Sequence, residues 1–121
     1  MRLRKIGGAF SVCRISDVSG VDFSREFCFL GKTDEEISLV CETDAAPEGA
    51  LAREDGWRAF RIEGVLDFSL VGILAGISAV LAENGIGIFA VSTYNTDYIL
   101  TKEENFGRAL EALEKAGYEI E

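Results

Sequence analysis

Histidine is absent from this chain of 121 residues, and proline, tryptophan and methionine occur once each. Without histidine there is no Ser-His-Asp or Cys-His nucleophilic system, and the commonest transition-metal ligand is missing. Positive charge is also scarce, with 12 Lys and Arg against 21 Asp and Glu, a net charge of −9. So acidic a chain lacks the cationic footprint that neutralises phosphates, which makes nucleic acid and anionic membrane surfaces poor partners. No basic start followed by a long apolar run reads as an export signal. The longest apolar stretch, Val65 to Ala82, is broken by Asp67, Ser69, Gly72, Gly76 and Ser78. A membrane span needs roughly 20 mostly apolar residues, so this stretch does not qualify. The expectation is a cytoplasmic protein with no membrane partner and no cofactor.

What is present is compact and apolar. Hydrophobic residues make up 48% of the chain, which places it among globular rather than disordered sequences. The length suits one domain or two very small ones sharing a core. Cys13, Cys28 and Cys41 are few, odd in number and without a CxxC pair. They read as reduced thiols packed in strands rather than as a disulfide framework or zinc site. Carboxylates are plentiful, but no spacing singles out an acid/base pair, so no enzyme is expected.

The second half has the clearer pattern. Trp57, Ala59, Phe60 and Ile62 form a strand-like run ending at Gly64. Beyond it, Leu70 or Val71, then Leu74, Ile77 and Leu81, recur at three- and four-residue intervals, which predicts one apolar helical face. Asp67 or Ser69 can cap that helix, and Gly85 after Asn84 supplies a left-handed stop. Gly72 and Gly76, one turn apart, would let a neighbour approach closely. IGIFAVSTY and DYILT read as two strands joined at Asn95-Thr96. Thr101 with Glu104 makes a capping-box pattern before a second helix that buries Phe106, Ala109, Leu110, Leu113 and Ala116. Gly117 ends it, and Tyr118 and Ile120 suggest a last short strand.

The first half is less regular. Leu3 to Ile15 suggests two strands turning at Gly7-Gly8, and Phe27–Leu30 and Ile37–Cys41 suggest two more. Asp17 to Glu26 is polar with room for one short helix, and Asp44 to Asp55 reads as a surface loop. The pattern is that of an eroded copy of the second half, although no literal repeat is visible. No Pro/Ser-rich linker separates the halves, so they are expected to fold together.

Strand, helix, strand, strand, helix predicts helices covering one side of a sheet. Small ligands occupy the crevice near strand ends and helix starts in such folds. Two segments converge there: the helix-entry loop from Gly64 to Ser69, and the polar strand end from Ser92 to Asp97. Free N–H groups at a helix start attract a carboxylate.

The stretch FRIEGVLDFSLVGILAGISAVLAENGIGIFAVSTYNTDYILTKEENFGRALEALEKAGY resembles the ACT domain. More narrowly, it is similar to the modules of aspartate kinase regulatory domains and cytosolic arginine sensors. STYNTDYIL is the most specific piece, and the FSVCRI and ISLVCE strands suit the divergent first copy of two-module members. The resemblance implies an α+β, ferredoxin-like βαββαβ fold in two tandem modules, a degenerate one over residues 1–56 and a complete one over 57–121. It implies side-by-side pairing, here a homodimer, and allosteric binding of an amino acid without catalysis. A regulated partner protein is implied as well.

Carried over by position, the resemblance puts Asp67, Phe68, Ser69, Leu70, Val71 and Gly72 in the loop that holds the ligand's carboxylate and ammonium. It puts Thr93, Tyr94, Asn95 and Asp97 at the ligand-facing strand end. A zwitterion needs N–H donors at one end and a carboxylate or carbonyls at the other. Backbone N–H groups of Leu70 to Gly72 suit the first, Asp67 the second, and Asp97 suits a cationic side chain. Plainer roles stand beside these: Asp67 as a helix cap, Asn95, Thr96 and Asp97 as turn formers, and Gly72 and Gly76 as packing positions. The alternative function is a protein-interaction or structural module of the same fold that binds no small ligand.

Overall fold

The computed structural model describes residues 1–121. The chain folds into two compact units, Gly8–Trp57 and a discontinuous one formed by Met1–Gly7 with Arg58–Glu121. The elements run β1 (Arg2–Ile15), β2 (Cys28–Lys32), β3 (Ile37–Glu42), β4 (Ala52–Ile62), α1 (Ile73–Glu83), β5 (Phe89–Ser92), β6 (Asp97–Lys102), α2 (Glu103–Lys115) and β7 (Glu119–Ile120).

In the discontinuous unit, β4-α1-β5-β6-α2-β7 follows the βαββαβ order of a ferredoxin-like α+β fold. The start of β1 lies beside the end of β4, and β7 pairs with it in parallel through Arg2↔Glu119 and Leu3↔Ile120. β6 follows β4 across the sheet, and β5 pairs antiparallel with β6. Alternate strand residues Phe60 and Ile62 join Ile99, Leu3 and the helix residues Ile77, Leu81, Phe106, Ala109 and Leu113 in one core. The expected face of the second helix is therefore buried at Phe106, Ala109 and Leu113, with Leu110 at its margin, but Ala116 is exposed.

Both helices start differently from the sequence expectation. α1 begins at Ile73, after Gly72 in the left-handed conformation (φ 79°), with no side-chain cap. Asp67 commits its carboxylate to the Ser69 N–H at 2.7 Å, and its carbonyl accepts from the Leu70 N–H at 3.0 Å. This tight turn holds residues 67–70 out of the helix, so Leu70 and Val71 are exposed rather than on its apolar face. α2 lacks the expected capping box: Lys102 is its cap, and Thr101 is fully buried at the end of β6, its hydroxyl donating to the Lys102 carbonyl. The strand alternation that turns Ile99 inward turns Thr101 inward too, so burial overrides capping. The stop at Gly85 holds, with φ 69° and the Ile86 N–H reaching the Leu81 carbonyl at 2.9 Å. Of the two glycines expected to admit a neighbour, only Gly76 does so, since a Cβ there would lie 3.1 Å from the Tyr118 hydroxyl. A Cβ at Gly72 would meet open space.

In the Gly8–Trp57 unit, the rest of β1 pairs with β3 from Phe10↔Glu42 to Ile15↔Ile37, and β3 pairs with β2. β1 is a single strand of 14 residues rather than two. Gly8 takes φ 89° and absorbs the irregularity as a glycine inside a strand can, without reversing the chain. No helix forms between Asp17 and Glu26. Asp17 and Asp22 instead accept from the N–H and hydroxyl of Ser19 and Ser24, local bonds that compete with helix formation. Arg25 holds this segment through Asp22, Glu42 and Asp44. The expected loop from Asp44 is shortened by a 3-10 turn at Thr43–Ala45 and by the early start of β4 at Ala52.

A hairpin of the same geometry occurs in each unit. Phe29↔Val40 through Lys32↔Ile37 has the same register as Phe89↔Leu100 through Ser92↔Asp97. In both turns a threonine N–H donates to the carbonyl three residues on, Thr33 to Glu36 and Thr93 to Thr96, at 2.9 Å. The hydroxyls of Thr33 and Thr93 accept the returning N–H at 3.2 and 3.3 Å. Upstream, Asp22-Phe23-Ser24 and Asp67-Phe68-Ser69 are the same tripeptide in the same aspartate-to-serine turn. In the second unit α1 follows that turn, whereas in the first the chain passes directly to β2.

Cys13, Cys28 and Cys41 all lie in strands, as expected, with Cys13 and Cys41 buried among Ile15, Leu39, Val21, Ala46 and Ala50. Burial, then the neighbouring thiols Cys13 and Cys28, push Cys41 up to about 12.

The packing can be tested at two points. The buried Thr96 hydroxyl donates to the Ile62 carbonyl at 2.7 Å. Thr96→Val leaves that carbonyl short of a partner and is expected to cost about 1–3 kcal/mol in urea denaturation; an unchanged midpoint would show that the bond contributes nothing. The second test concerns alkali. Cys41 stays neutral in the folded chain towards pH 12 but ionises near 9.0 when unfolded. Its contribution is complete below the unfolded value and is lost as pH rises through that window, at about 1.4 kcal/mol per pH unit. Cys41→Ala should lose less stability than the parent between about pH 8 and pH 10.5, and equal losses would refute the assignment.

Candidate functional site

A cleft of about 290 Å³ opens in the discontinuous unit between the helix-entry loop and the β5–β6 turn. Its formation follows from short-range chemistry on each side. On one wall the Asp67–Ser69 turn and Gly72 delay α1, so the chain runs across the mouth before the helix starts. On the other wall the Thr93–Thr96 turn closes on itself, the Thr93 hydroxyl donating to the Thr96 carbonyl at 2.9 Å. The Leu66 N–H donates to the Asn95 carbonyl at 2.7 Å and joins the walls at the base.

Of the residues singled out in the sequence, Asp67, Phe68, Leu70 and Gly72 line one wall, and Thr93, Tyr94, Asn95 and Asp97 the other. Ser69 and Val71 do not line it; Ser69 serves the Asp67 turn, and Val71 is 89% exposed. The cleft also includes Leu66, Ile73, Leu74, Ala75, Ser92 and Thr96, which sequence reasoning did not assign to a ligand. A later helix start would have pointed to Ile73–Ala75, and the glycine at position 72 was the available signal.

Several of the polar groups are already committed. The Thr93 and Thr96 hydroxyls and the Asn95 carbonyl hold the turn in place. The Asp67 carboxyl is held below the usual carboxylate range by the Ser69 N–H and hydroxyl, so it is anionic. The Leu70 N–H is satisfied by Asp67 and the Gly76 N–H by the Gly72 carbonyl. That leaves the N–H groups of Ile73, Leu74 and Ala75, the orphan donors of the helix start, on the cleft wall. Across from them Asp97 is half-buried, and its carboxylate has no hydrogen-bond or ion-pair partner in the chain. Phe68 and Tyr94 meet edge to face at the rim, with ring centroids 5.1 Å apart.

Elsewhere, no group of three or more Cys, Asp or Glu side chains is placed to hold a metal ion, and no helix is long and apolar enough to cross a membrane.

Comparison with known proteins places this geometry in a family. The ACT domain model matches residues 52–115. Over 60 residues the chain is 38% identical to the cytosolic arginine sensor for mTORC1 subunit 1 of Homo sapiens and of Bos taurus. That alignment covers 49% of this chain but only 18% of the relatives' length. Among solved structures, protein Atu0741 from Agrobacterium tumefaciens superposes with a TM-score of 0.88 at 29% identity, covering 99% of this chain and 91% of that one. VC0802 from Vibrio cholerae gives 0.72 at 22% identity, covering 94% and 88%. The regulatory subunit of aspartate kinase from Thermus thermophilus shares the fold, with a TM-score of 0.68 at 13% identity and 97% of both chains covered. With more than half of its length matched by the family model, the chain belongs to the ACT domain family.

Proposed function

We propose that this protein is a non-catalytic regulatory or sensor module whose cleft binds a free amino acid. The observation that carries the reading is the pairing, within one small cleft, of three unsatisfied helix-start N–H groups with an unpartnered, half-buried carboxylate. The N–H groups of Ile73–Ala75 receive the ligand's carboxylate, assisted by the positive end of the α1 dipole. Asp67 and nearby carbonyls receive its ammonium. Asp97 receives a cationic side chain, because a carboxylate left unpaired as the cleft closes on a ligand is costly. Similarity to a protein named as an arginine sensor supports a basic amino acid as the ligand.

The repeated hairpin, turn and tripeptide support reading Gly8–Trp57 as a degenerate copy of the module that has lost both helices. Its turn carries Asp34, Glu35 and Glu36 where the other has Tyr94, Asn95 and Thr96, and Ile37 where the other has Asp97. The ligand groups thus belong to one module. On this reading the protein works in the cytoplasm, as a homodimer, and acts on a partner protein.

Calorimetric titration with arginine, lysine and the neutral amino acids tests the site. The parent chain is expected to bind a basic amino acid, and Asp97→Ala to weaken it at least about tenfold with little change in melting temperature. Equal affinities would remove Asp97 from the site. A thermal-shift screen in which none of the twenty amino acids raises the melting temperature would retire the sensor reading in favour of a protein-interaction module. Sedimentation at tens of micromolar should show a dimer; a clean monomer would refute the pairing.

A further inference from the structure

The rim of the cleft carries a feature that carboxylate and ammonium binding do not require. Phe68 projects from the helix-entry loop and Tyr94 from the tip of the β5–β6 turn, 73% and 78% exposed, so neither ring belongs to the core. They nevertheless touch at 5.1 Å between centroids and 86° between planes, spanning from one wall to the other. Below them the walls are already tied by the hydrogen bond from Leu66 to Asn95. The ring contact is therefore not needed to bring the walls together.

The pairing is also confined to the unit with the cleft. The Gly8–Trp57 unit keeps the tripeptide Asp22-Phe23-Ser24, with Phe23 62% exposed, but has Asp34 at the position matching Tyr94. A ring required by the turn itself would be needed in both hairpins, whose registers and threonine bonds are the same. In an edge-to-face pair only one face is occupied by the neighbouring ring edge, which leaves electron-rich face for a third group. A flat, weakly hydrated cationic end lying there stacks and gains attraction that an aliphatic end does not. A planar guanidinium stacks, whereas a tetrahedral ammonium presents a compact, strongly hydrated charge.

We propose that Phe68 and Tyr94 are specificity-determining residues that select, among amino acids of equal charge, those whose side chain ends in a flat group. This rests on the amino-acid reading of the cleft and adds a selector separate from Asp97, which reads charge and not shape.

Arginine and lysine, equal in charge and different in shape, separate the two roles. The parent chain is expected to bind arginine about five- to thirtyfold more tightly than lysine. In the double variant Phe68→Leu, Tyr94→Leu that preference should vanish through loss of arginine affinity, while lysine affinity stays within about twofold. Phe68→Tyr and Tyr94→Phe, which keep the rings, should retain the preference. Both rings are exposed, so the ligand-free melting temperature serves as the control for folding and should barely move. An unchanged preference in the double variant, equal losses for both ligands, or no preference in the parent would each overturn the proposal. If the double variant keeps its preference while Asp97→Ala abolishes binding, the ring role alone falls. If the parent binds no amino acid, the ring role and the amino-acid reading fall together.

Discussion

Two short hydrogen bonds at the end of β4 hold the cleft open. The Thr96 hydroxyl donates to the Ile62 carbonyl, and the Leu66 N–H donates to the Asn95 carbonyl, both at 2.7 Å. The first fixes the β5–β6 turn to the last residue of a core strand; the second fixes the outgoing loop to that same turn. With both made, the polar strand end cannot collapse onto the core, and the loop must cross in front of it before α1 begins. The many hydrogen-bonding groups between Ser92 and Asp97 thus divide by role. Thr93, Thr96 and the Asn95 backbone build the support, which leaves Asp97 without a partner beside the helix start.

The delayed start of α1 makes the opposite wall useful. Had Asp67 capped the helix, Ile73, Leu74 and Ala75 would lie inside it with their N–H groups bonded to the preceding turn, and the cleft would have lost these donors. By closing a separate turn on Ser69, Asp67 remains anionic and leaves the helix start uncapped. Gly72 takes the left-handed conformation between turn and helix, which costs a glycine little and a residue with a Cβ considerably more. Uncapped helix ends are ordinarily a loss of about 1 kcal/mol, offset here by the core contacts of Ile77 and Leu81.

The Gly8–Trp57 unit shows the same hairpin under different cover. One buried cluster of it is made of thiols and aliphatic side chains under irregular segments, which are held by aspartate–serine turns and the Arg25 cluster instead of helices. Irregular segments supply fewer bulky apolar side chains than a helix face. Small residues such as Cys13, Cys41, Ala46 and Ala50 let them lie close to the sheet. The hairpin geometry survives because its threonine turn and strand register are local, whereas a helix depends on a run of apolar positions that residues 16–27 do not contain.

The family, the βαββαβ order, most of the apolar helix faces and the two segments that form the cleft were all legible in the sequence. They rest on periodicity and on the STYNTDYIL strand end, which are local signals. Where the helices begin was not legible, nor that β1 is one strand, nor that the hairpins at Cys28–Glu42 and Phe89–Lys102 share a register. The tripeptide Asp-Phe-Ser stands in both halves, but three residues carry too little information to mark a repeat until their turns are seen to match. Capping departs from expectation because Asp67 and Thr101 each have a competing partner, a neighbouring serine in one case and the core in the other. Which polar groups stay free depends on the folded chain as a whole, because a hydroxyl or carboxylate is consumed or spared according to what the fold brings within hydrogen-bond reach. Thr96 found Ile62, 34 residues away, and Asp97 beside it found nothing.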